Sequence, residues 1–98
     1  MLTSKQRANL RKHANTLETI FQIGKGGIED ALVKQMDDAL RARELVKIKV
    51  LTETSSVSPR EAADILAEAT DSEVIQVIGG RFVLYRRNPE KPKYDDCL

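Results

Sequence analysis

Few of the residues from which enzymes and metal sites are built occur in this sequence. Its 98 residues include one cysteine, Cys97, one histidine, His13, and no tryptophan. A single cysteine excludes an internal disulfide and a thiolate metal cage, and a single histidine removes most general-base schemes. The familiar nucleophile, zinc-protease and nucleotide-hydrolase motifs are missing as well. We therefore expect no catalysis, no cofactor, no metal site and no small-molecule substrate.

Long apolar runs are also missing. No stretch approaches the roughly 18 consecutive apolar residues of a membrane span, and residues 1–7 lack the apolar run of a signal peptide. The sequence therefore predicts a cytoplasmic location and no membrane partner. Its 41% hydrophobic and 32% charged residues are typical of a globular protein, and 98 residues suffice for one domain with a modest core.

The net charge of +1 conceals a segregation of charge along the chain. Residues 1–27 carry five basic side chains and one acidic one, for a net charge of +4. Residues 28–80 have a net charge of −5, and residues 81–98 have one of +2. Because a polyanion senses potential over about 8 Å at physiological salt, a basic end can bind phosphates while an acidic flank faces away. The same segregation of charge is equally consistent with an ordinary solvated surface on which charges cluster by chance.

The periodicity of apolar residues predicts an α/β fold. Helices are predicted from Thr3 to about Leu17, from near Ile28, and from Ser58 to near Asp71, and strands over residues 19–23, 46–50, 74–78 and 81–86. Gly79 and Gly80 form the turn of a hairpin between the last two strands. The order α-β-α-β-α-β-β then gives a compact domain with a four-stranded mixed sheet.

The domain is predicted to cover residues 1–87. Pro89 and Pro92 cannot continue a central strand, so residues 88–98 are predicted to form a flexible C-terminal tail. Cys97 is expected to be an incidental thiol in this tail, because a frayed segment cannot hold a catalytic base beside it.

The strongest candidate for a binding site is the loop between the first strand and the second helix. It consists of Gly24, Lys25, Gly26 and Gly27. Free backbone amides at a helix N-terminus favour an anion, and glycines let a polyanion backbone approach closely. The Lys25 ammonium suits a phosphate without reading a base. Glu29 and Asp30, however, already place negative charge at this helix N-terminus, which would weaken a phosphate site. A short glycine loop is also more simply interpreted as a tight β-to-α turn.

Other basic residues extend this candidate surface. A first group on the first helix comprises Lys5, Arg7, Arg11 and Lys12, and a second group on the strands comprises Lys47, Lys49, Arg81 and Arg86. The first helix and the glycine loop are predicted to form one surface that contacts RNA phosphates. The strand residues are weaker candidates, because the pattern does not fix their faces. Base stacking is not expected, since the two phenylalanines lie in strands.

Three segments resemble a known family. They are the strand-GKGG-helix arrangement, the strand from Glu44 to Val50, and the run QVIGGRFVLYR from Gln76 to Arg86. Together they resemble the CRM domain (chloroplast RNA splicing and ribosome maturation), in its bacterial stand-alone form of the YhbY type. The last segment is the most specific of the three, and the resemblance covers about residues 2–87.

The resemblance implies a fold similar to the C-terminal domain of translation initiation factor 3, with a G-x-x-G loop at Gly24 to Gly27 and a basic first helix. It also implies no catalysis and association with ribosomal RNA in precursors of the large ribosomal subunit. This chain departs from the family in its third loop glycine, Gly26, and in a tail that ends with Asp95 and Asp96 before Cys97 and Leu98.

A rival interpretation is a protein-interaction module that docks through the acidic flank of the second and third helices. RNA would then be irrelevant. Salt dependence separates the two interpretations, because phosphate contacts make the affinity fall steeply with salt.

Overall fold

The computed structural model describes residues 2–97, and the side chain of Cys97, with its predicted incidental thiol, lies outside the described part. The helices are α1 (Ser4–Ala14), α2 (Asp30–Arg43) and α3 (Pro59–Thr70), the strands are β1 (Thr19–Ile23), β2 (Leu45–Val50), β3 (Glu73–Ile78) and β4 (Arg81–Tyr85), and a 3₁₀ turn covers Asp95–Cys97. The predicted α/β class and order of elements are confirmed.

The four strands form one mixed sheet in the order β1-β2-β4-β3. β1 and β2 are parallel and are joined through α2, whereas β4 is antiparallel to both β2 and β3. The hairpin therefore places β4 inside the sheet and leaves β3 at its edge. Four of the five β4 side chains are buried as a result.

One face of the sheet packs against α2 and α3 and forms the main core. The alternation in β2 directs Val46, Ile48 and Val50 into this core, as predicted, and leaves Lys47 and Lys49 on the opposite face. The helices contribute the fully buried side chains Met36, Leu40, Ala62 and Leu66. Burial of a leucine side chain contributes about 1.5–3 kcal/mol, so these contacts fix both helices on the sheet.

The other face of the sheet is covered at one end by α1. Leu10 and Ala14 of α1 pack with Leu45 and Tyr85, which lie where β2 begins and β4 ends. Towards the opposite end of this face, Gln22, Ile78 and Arg81 are exposed. α1 therefore leaves part of the sheet face open to a partner.

Two helices begin with the hydrogen-bonding pattern that their sequences indicate. The Thr3 hydroxyl accepts from the Gln6 backbone N–H, and the Gln6 side chain accepts from the Thr3 N–H. Ser58 and Glu61 form the same reciprocal pair at the start of α3, where Pro59 is the first helical residue. Each such cap satisfies two amides that the helix itself cannot, and losing one costs about 1 kcal/mol.

α2 begins two residues later than the sequence predicts. Glu29 has extended backbone angles (φ −105°, ψ 163°) and serves as the N-cap without a side-chain hydrogen bond. Ile28 still packs against the main core, but it does so from the loop. The connection between β1 and α2 is therefore longer than expected and includes Glu29.

The segment after β4 returns to the domain. Both carboxylate oxygens of the buried Glu44 accept backbone amides from it, one from Asn88 at 3.0 Å and one from Lys93. The Tyr94 ring meets the His13 ring of α1 edge to face, with centroids 5.3 Å apart. The sequence predicts a flexible tail here because its prolines cannot continue a strand. The periodicity of apolar residues does not show that the Glu44 carboxylate is buried and binds this segment. The structure gives this segment specific anchoring contacts.

Candidate nucleic-acid interface

The glycine loop turns tightly between β1 and α2. The Gly27 N–H donates to the Gly24 carbonyl at 3.0 Å, which closes the turn and places Lys25 and Gly26 at its exposed tip. Lys25 forms no ion pair with any residue of the described chain. The loop therefore presents a free ammonium beside accessible backbone.

The three glycines of the loop differ in whether the fold could accommodate a side chain in their place. Gly27 has φ +66°, a conformation that strains other residues, and a Cβ there would lie 3.0 Å from the Ser56 hydroxyl. Gly24 has ordinary space for a Cβ. At Gly26 the nearest atom is a carboxylate oxygen of Glu29, 2.7 Å from the Cβ position. Folding thus requires glycine at Gly27, whereas at Gly24 and Gly26 glycine leaves the backbone uncovered.

A second loop, residues 51–54, lies against the glycine loop. The Leu51 N–H donates to the Ile23 carbonyl at 2.8 Å, which extends the β1–β2 pairing to the base of both loops. The Leu51 and Thr54 side chains face Gly24 across ordinary contact distances. The two loops consequently form one continuous end of the sheet.

The β3–β4 hairpin turn completes this end. Gly79 has φ +57°, as a two-residue hairpin turn requires, and the Gly80 carbonyl accepts from the Val50 N–H at 2.6 Å. A Cβ at Gly80 would lie 3.2 Å from the Val50 carbonyl oxygen, so the glycine allows the turn to sit close to β2. The turn thereby brings Arg81 beside the end of β2.

Two strand cations stand side by side at this end. Lys49 of β2 and Arg81 of β4 are directly opposite in the antiparallel register. Gln22 pairs with Lys49 on one side and Ile78 pairs with Arg81 on the other, which gives a row across the whole sheet. Neither cation has an ion-pair partner among residues 2–97. We call Gly24 to Gly27, residues 51–54, Lys49 and Arg81 the loop-end surface.

An open cleft of about 500 Å³ lies within the loop-end surface. Its polar lining comprises Lys49, Thr52, Glu53, Thr54, Gly80 and Arg81. The sequence identifies Lys49 and Arg81 as candidates but treats the segment around Thr52 only as a connecting loop. No motif marks it, and only the pairing of β2 with β4 brings it beside Arg81.

α1 and the glycine loop, which the sequence predicts to form one surface, lie towards opposite ends of β2. α1 packs on Leu45 at the start of β2, whereas the loop follows Ile23, which pairs with Val50 at the end of β2. The five steps between the ends of β2 correspond to about 17 Å. Lys47 lies between them and donates to the Ala14 carbonyl at 3.3 Å. Helical periodicity alone does not show where a helix crosses a sheet.

The basic residues of α1 occupy different environments. Lys5 and Lys12 are exposed, and Arg11 is half-buried. Arg7 forms an ion pair with Glu73 at 2.8 Å and also donates to the Val74 carbonyl, with 29% of its side chain exposed. Arg7, which the sequence predicts as an RNA contact, attaches α1 to the edge strand β3.

Arg86 also has an internal role. Its guanidinium pairs with Asp37 at 2.6 Å and donates to the Thr70 and Asp37 carbonyls. The hydrogen bond from Arg86 and its charge hold the pKa of Asp37 below the ordinary value for an aspartate. This residue joins β4 to α2 and α3, so it does not belong to the loop-end surface.

The acidic flank of α2 and α3 is partly neutralised. Besides its bond to Arg86, Asp37 pairs with Arg41 at 3.2 Å, and Asp64 pairs with Arg60 at 3.2 Å. These pairs are four residues apart on exposed helix faces and contribute little to stability. They do lower the negative potential that a basic protein partner would need.

No helix in the described part of the chain is both long and apolar enough to span a membrane.

Comparison with known proteins identifies the family. The family described as the CRS1 / YhbY (CRM) domain matches residues 2–86. The chain belongs to the CRS1/YhbY (CRM) domain family. The matched residues include β1, β2, the glycine loop and the hairpin, so the resemblance drawn from those segments is confirmed.

Two curated relatives and one solved structure illustrate the match. The chain is 40% identical over 95 residues to the "Probable RNA-binding protein YqeI" of Bacillus subtilis, covering 97% of this chain and 98% of that one. It is 36% identical over 94 residues to the "Probable RNA-binding protein MJ0652" of Methanocaldococcus jannaschii, covering 95% and 69%. The solution structure of SAV1595 from Staphylococcus aureus matches with a TM-score of 0.74 and 49% identity, covering 89% and 90%. The CRM-domain fold of this chain therefore agrees with that of a solved relative.

Proposed function

We propose that this chain is a non-catalytic, cytoplasmic RNA-binding protein that associates with ribosomal RNA in precursors of the large ribosomal subunit. The loop-end surface is its main RNA contact. The observation that carries the proposal is that the structure brings Lys25, Lys49 and Arg81 to one end of the sheet, each without an ion-pair partner among the described residues. The names of the family relatives support RNA as the partner.

The geometry favours phosphate contacts over base contacts in the glycine loop. Gly24 and Gly26 need not be glycine for folding, but they leave space for a sugar-phosphate backbone beside the Lys25 ammonium. Lys47 and Lys49 extend the positive charge along the sheet face toward α1. Lys5, Arg11 and Lys12 then supply a more distant positive potential that steers the RNA, and Arg7 and Arg86 contribute to folding.

Salt-dependent affinity tests this proposal. The affinity for a structured fragment of large-subunit ribosomal RNA is measured over a range of salt concentrations for the wild type, Lys25→Glu and Lys34→Glu. Each phosphate contact adds about 0.7–0.9 to the slope of log affinity against log salt, so Lys25→Glu is expected to lower the slope by about one and the affinity about tenfold. Lys34 is exposed on α2 and is not one of the residues that define the loop-end surface, so it serves as the control of matched charge.

The cellular target is tested by sedimentation. Extract is separated on a gradient and this protein is detected in each fraction, with Lys25→Glu run in parallel. Co-migration of the wild type with a large-subunit precursor, reduced in the variant, is the expected result. Wild type found only at the top of the gradient would overturn the ribosomal assignment, and a salt slope near zero would favour a protein partner instead.

A further inference from the structure

Lys49 and Arg81 form an arrangement that the isolated domain does not stabilise. Like charges directly opposite each other on neighbouring strands are unfavourable, and these two have no carboxylate partner among residues 2–97. Their position on the open sheet face, with Arg81 exposed and Lys49 partly so, leaves them accessible. A bound phosphate would remove this repulsion by accepting hydrogen bonds from both cations.

The lining of the cleft beside these cations does not favour an isolated phosphate ion. Glu53 lines it together with them and forms no ion pair with either. A carboxylate repels an isolated phosphate, but it accepts hydrogen bonds well from ribose hydroxyls and from exocyclic amino groups of bases. The Thr52 hydroxyl adds a donor and an acceptor, and the Thr54 hydroxyl, which donates to the Leu51 carbonyl at 3.3 Å, adds an acceptor. This combination of two cations and one acceptor matches the parts of a nucleotide.

The shape of the site favours one unpaired nucleotide over a duplex. A concave space of about 500 Å³ between two loops is of the size that small ligands occupy. A base held in a duplex cannot enter such a space, whereas a base extruded from a bulge or loop can. Ile78 is 63% exposed beside Arg81 in the sheet register and offers an apolar surface to the same nucleotide.

From these observations we infer that the cleft between residues 49–54 and the β3–β4 turn takes one unpaired ribonucleotide of the bound RNA. Lys49 and Arg81 hold its phosphate, and Glu53 accepts from its ribose 2′-hydroxyl. This inference rests on the proposed RNA-binding function. It adds a preference for RNA with an unpaired nucleotide, which the glycine loop does not provide because it contacts only the RNA backbone.

The test compares three short hairpin RNAs with the same stem. One is fully paired, one carries a single bulged adenosine, and one carries the same adenosine as its 2′-deoxy nucleotide. Wild type is expected to bind the bulged hairpin about tenfold more tightly than the paired one, the effect of one well-placed set of contacts. The deoxy substitution is expected to remove a substantial part of that preference.

Variants assign the preference to the cleft. In the double variant Lys49→Ala with Arg81→Ala, the ratio of the two affinities is expected to fall close to one. Glu53→Ala is expected to bind the ribose and deoxyribose forms equally. Lys34→Ala is the control that keeps the wild-type ratio. All replaced side chains are exposed or half-buried, and a thermal unfolding curve for each variant verifies folding.

The outcomes separate this inference from the proposed function. Equal binding of bulged and paired hairpins by the wild type, with both lowered by Lys25→Glu, would overturn the nucleotide site while RNA binding stands. A wild-type preference that the double variant and Glu53→Ala leave unchanged would also overturn it. Failure to bind any of the hairpins and any ribosomal RNA fragment at low salt would refute the proposed function and the inference together.

Discussion

Replacement of Glu44 by alanine is expected to destabilise the domain far more than a typical loop substitution. Glu44 is 1% exposed, and its carboxylate accepts the amides of Asn88 and Lys93. It also has φ +64°, a backbone conformation that strains residues other than glycine. The side chain thus stabilises the C-terminal segment while the backbone resists the conformation that places it there.

The magnitude follows from these contacts. Hydrogen bonds to a charged group contribute about 1.5–3 kcal/mol each, so the loss of two costs about 3–6 kcal/mol. Alanine avoids the desolvation cost of a buried carboxylate, and this offsets part of the loss. The net decrease in the free energy of unfolding is therefore about 2–4 kcal/mol. Total stability for a chain of this length is about 5–15 kcal/mol, and the expected fall in Tm is roughly 10–30 °C.

Urea denaturation of four proteins measures the effect. They are wild type, Glu44→Ala, a chain ending at Arg87, and the same short chain with Glu44→Ala. If Glu44 acts through the C-terminal segment, Glu44→Ala costs less than about 1 kcal/mol in the short chain, because its hydrogen-bond partners are gone. Equal cost in both backgrounds would refute the reasoning. Glu44→Gly is expected to be more stable than Glu44→Ala by about 1 kcal/mol, since glycine relieves the positive φ.

Two further predictions concern charge. Because Arg86 lowers the pKa of Asp37 in the folded protein, Asp37→Asn is expected to be less stable than wild type by about 1 kcal/mol above about pH 5. That difference shrinks as the pH falls through the lowered pKa; a difference in denaturation midpoint that does not change as the pH is lowered would contradict it. Glu29→Gln is expected to raise RNA affinity about two- to fivefold at low salt, because the Glu29 carboxylate lies beside Gly26 and repels phosphate. Unchanged affinity in a fluorescence titration would show that the RNA backbone does not reach Gly26.

Strand order and tertiary contacts, more than sequence position, decide how the candidate site residues are grouped. Lys49 and Arg81 are separated by 32 positions in the sequence, and only the β2–β4 register places them side by side. Arg7 and Arg86 look like surface cations in the sequence, yet partners distant along the chain, Glu73 and Asp37, engage them. Periodicity reports which face of an element a residue occupies; it does not report which residues of another element face it.

The sequence by itself determined the order of elements, the buried face of β2, the hairpin turn and the start of α3. Each follows from short-range chemistry: alternation, glycine conformation, or a cap closed within four residues. The tertiary structure decided which cations share a surface, where the C-terminal segment lies, and that Glu53 and Thr52 line a cleft beside Arg81. Those outcomes depend on strand order and on contacts between distant positions, so no local pattern encodes them.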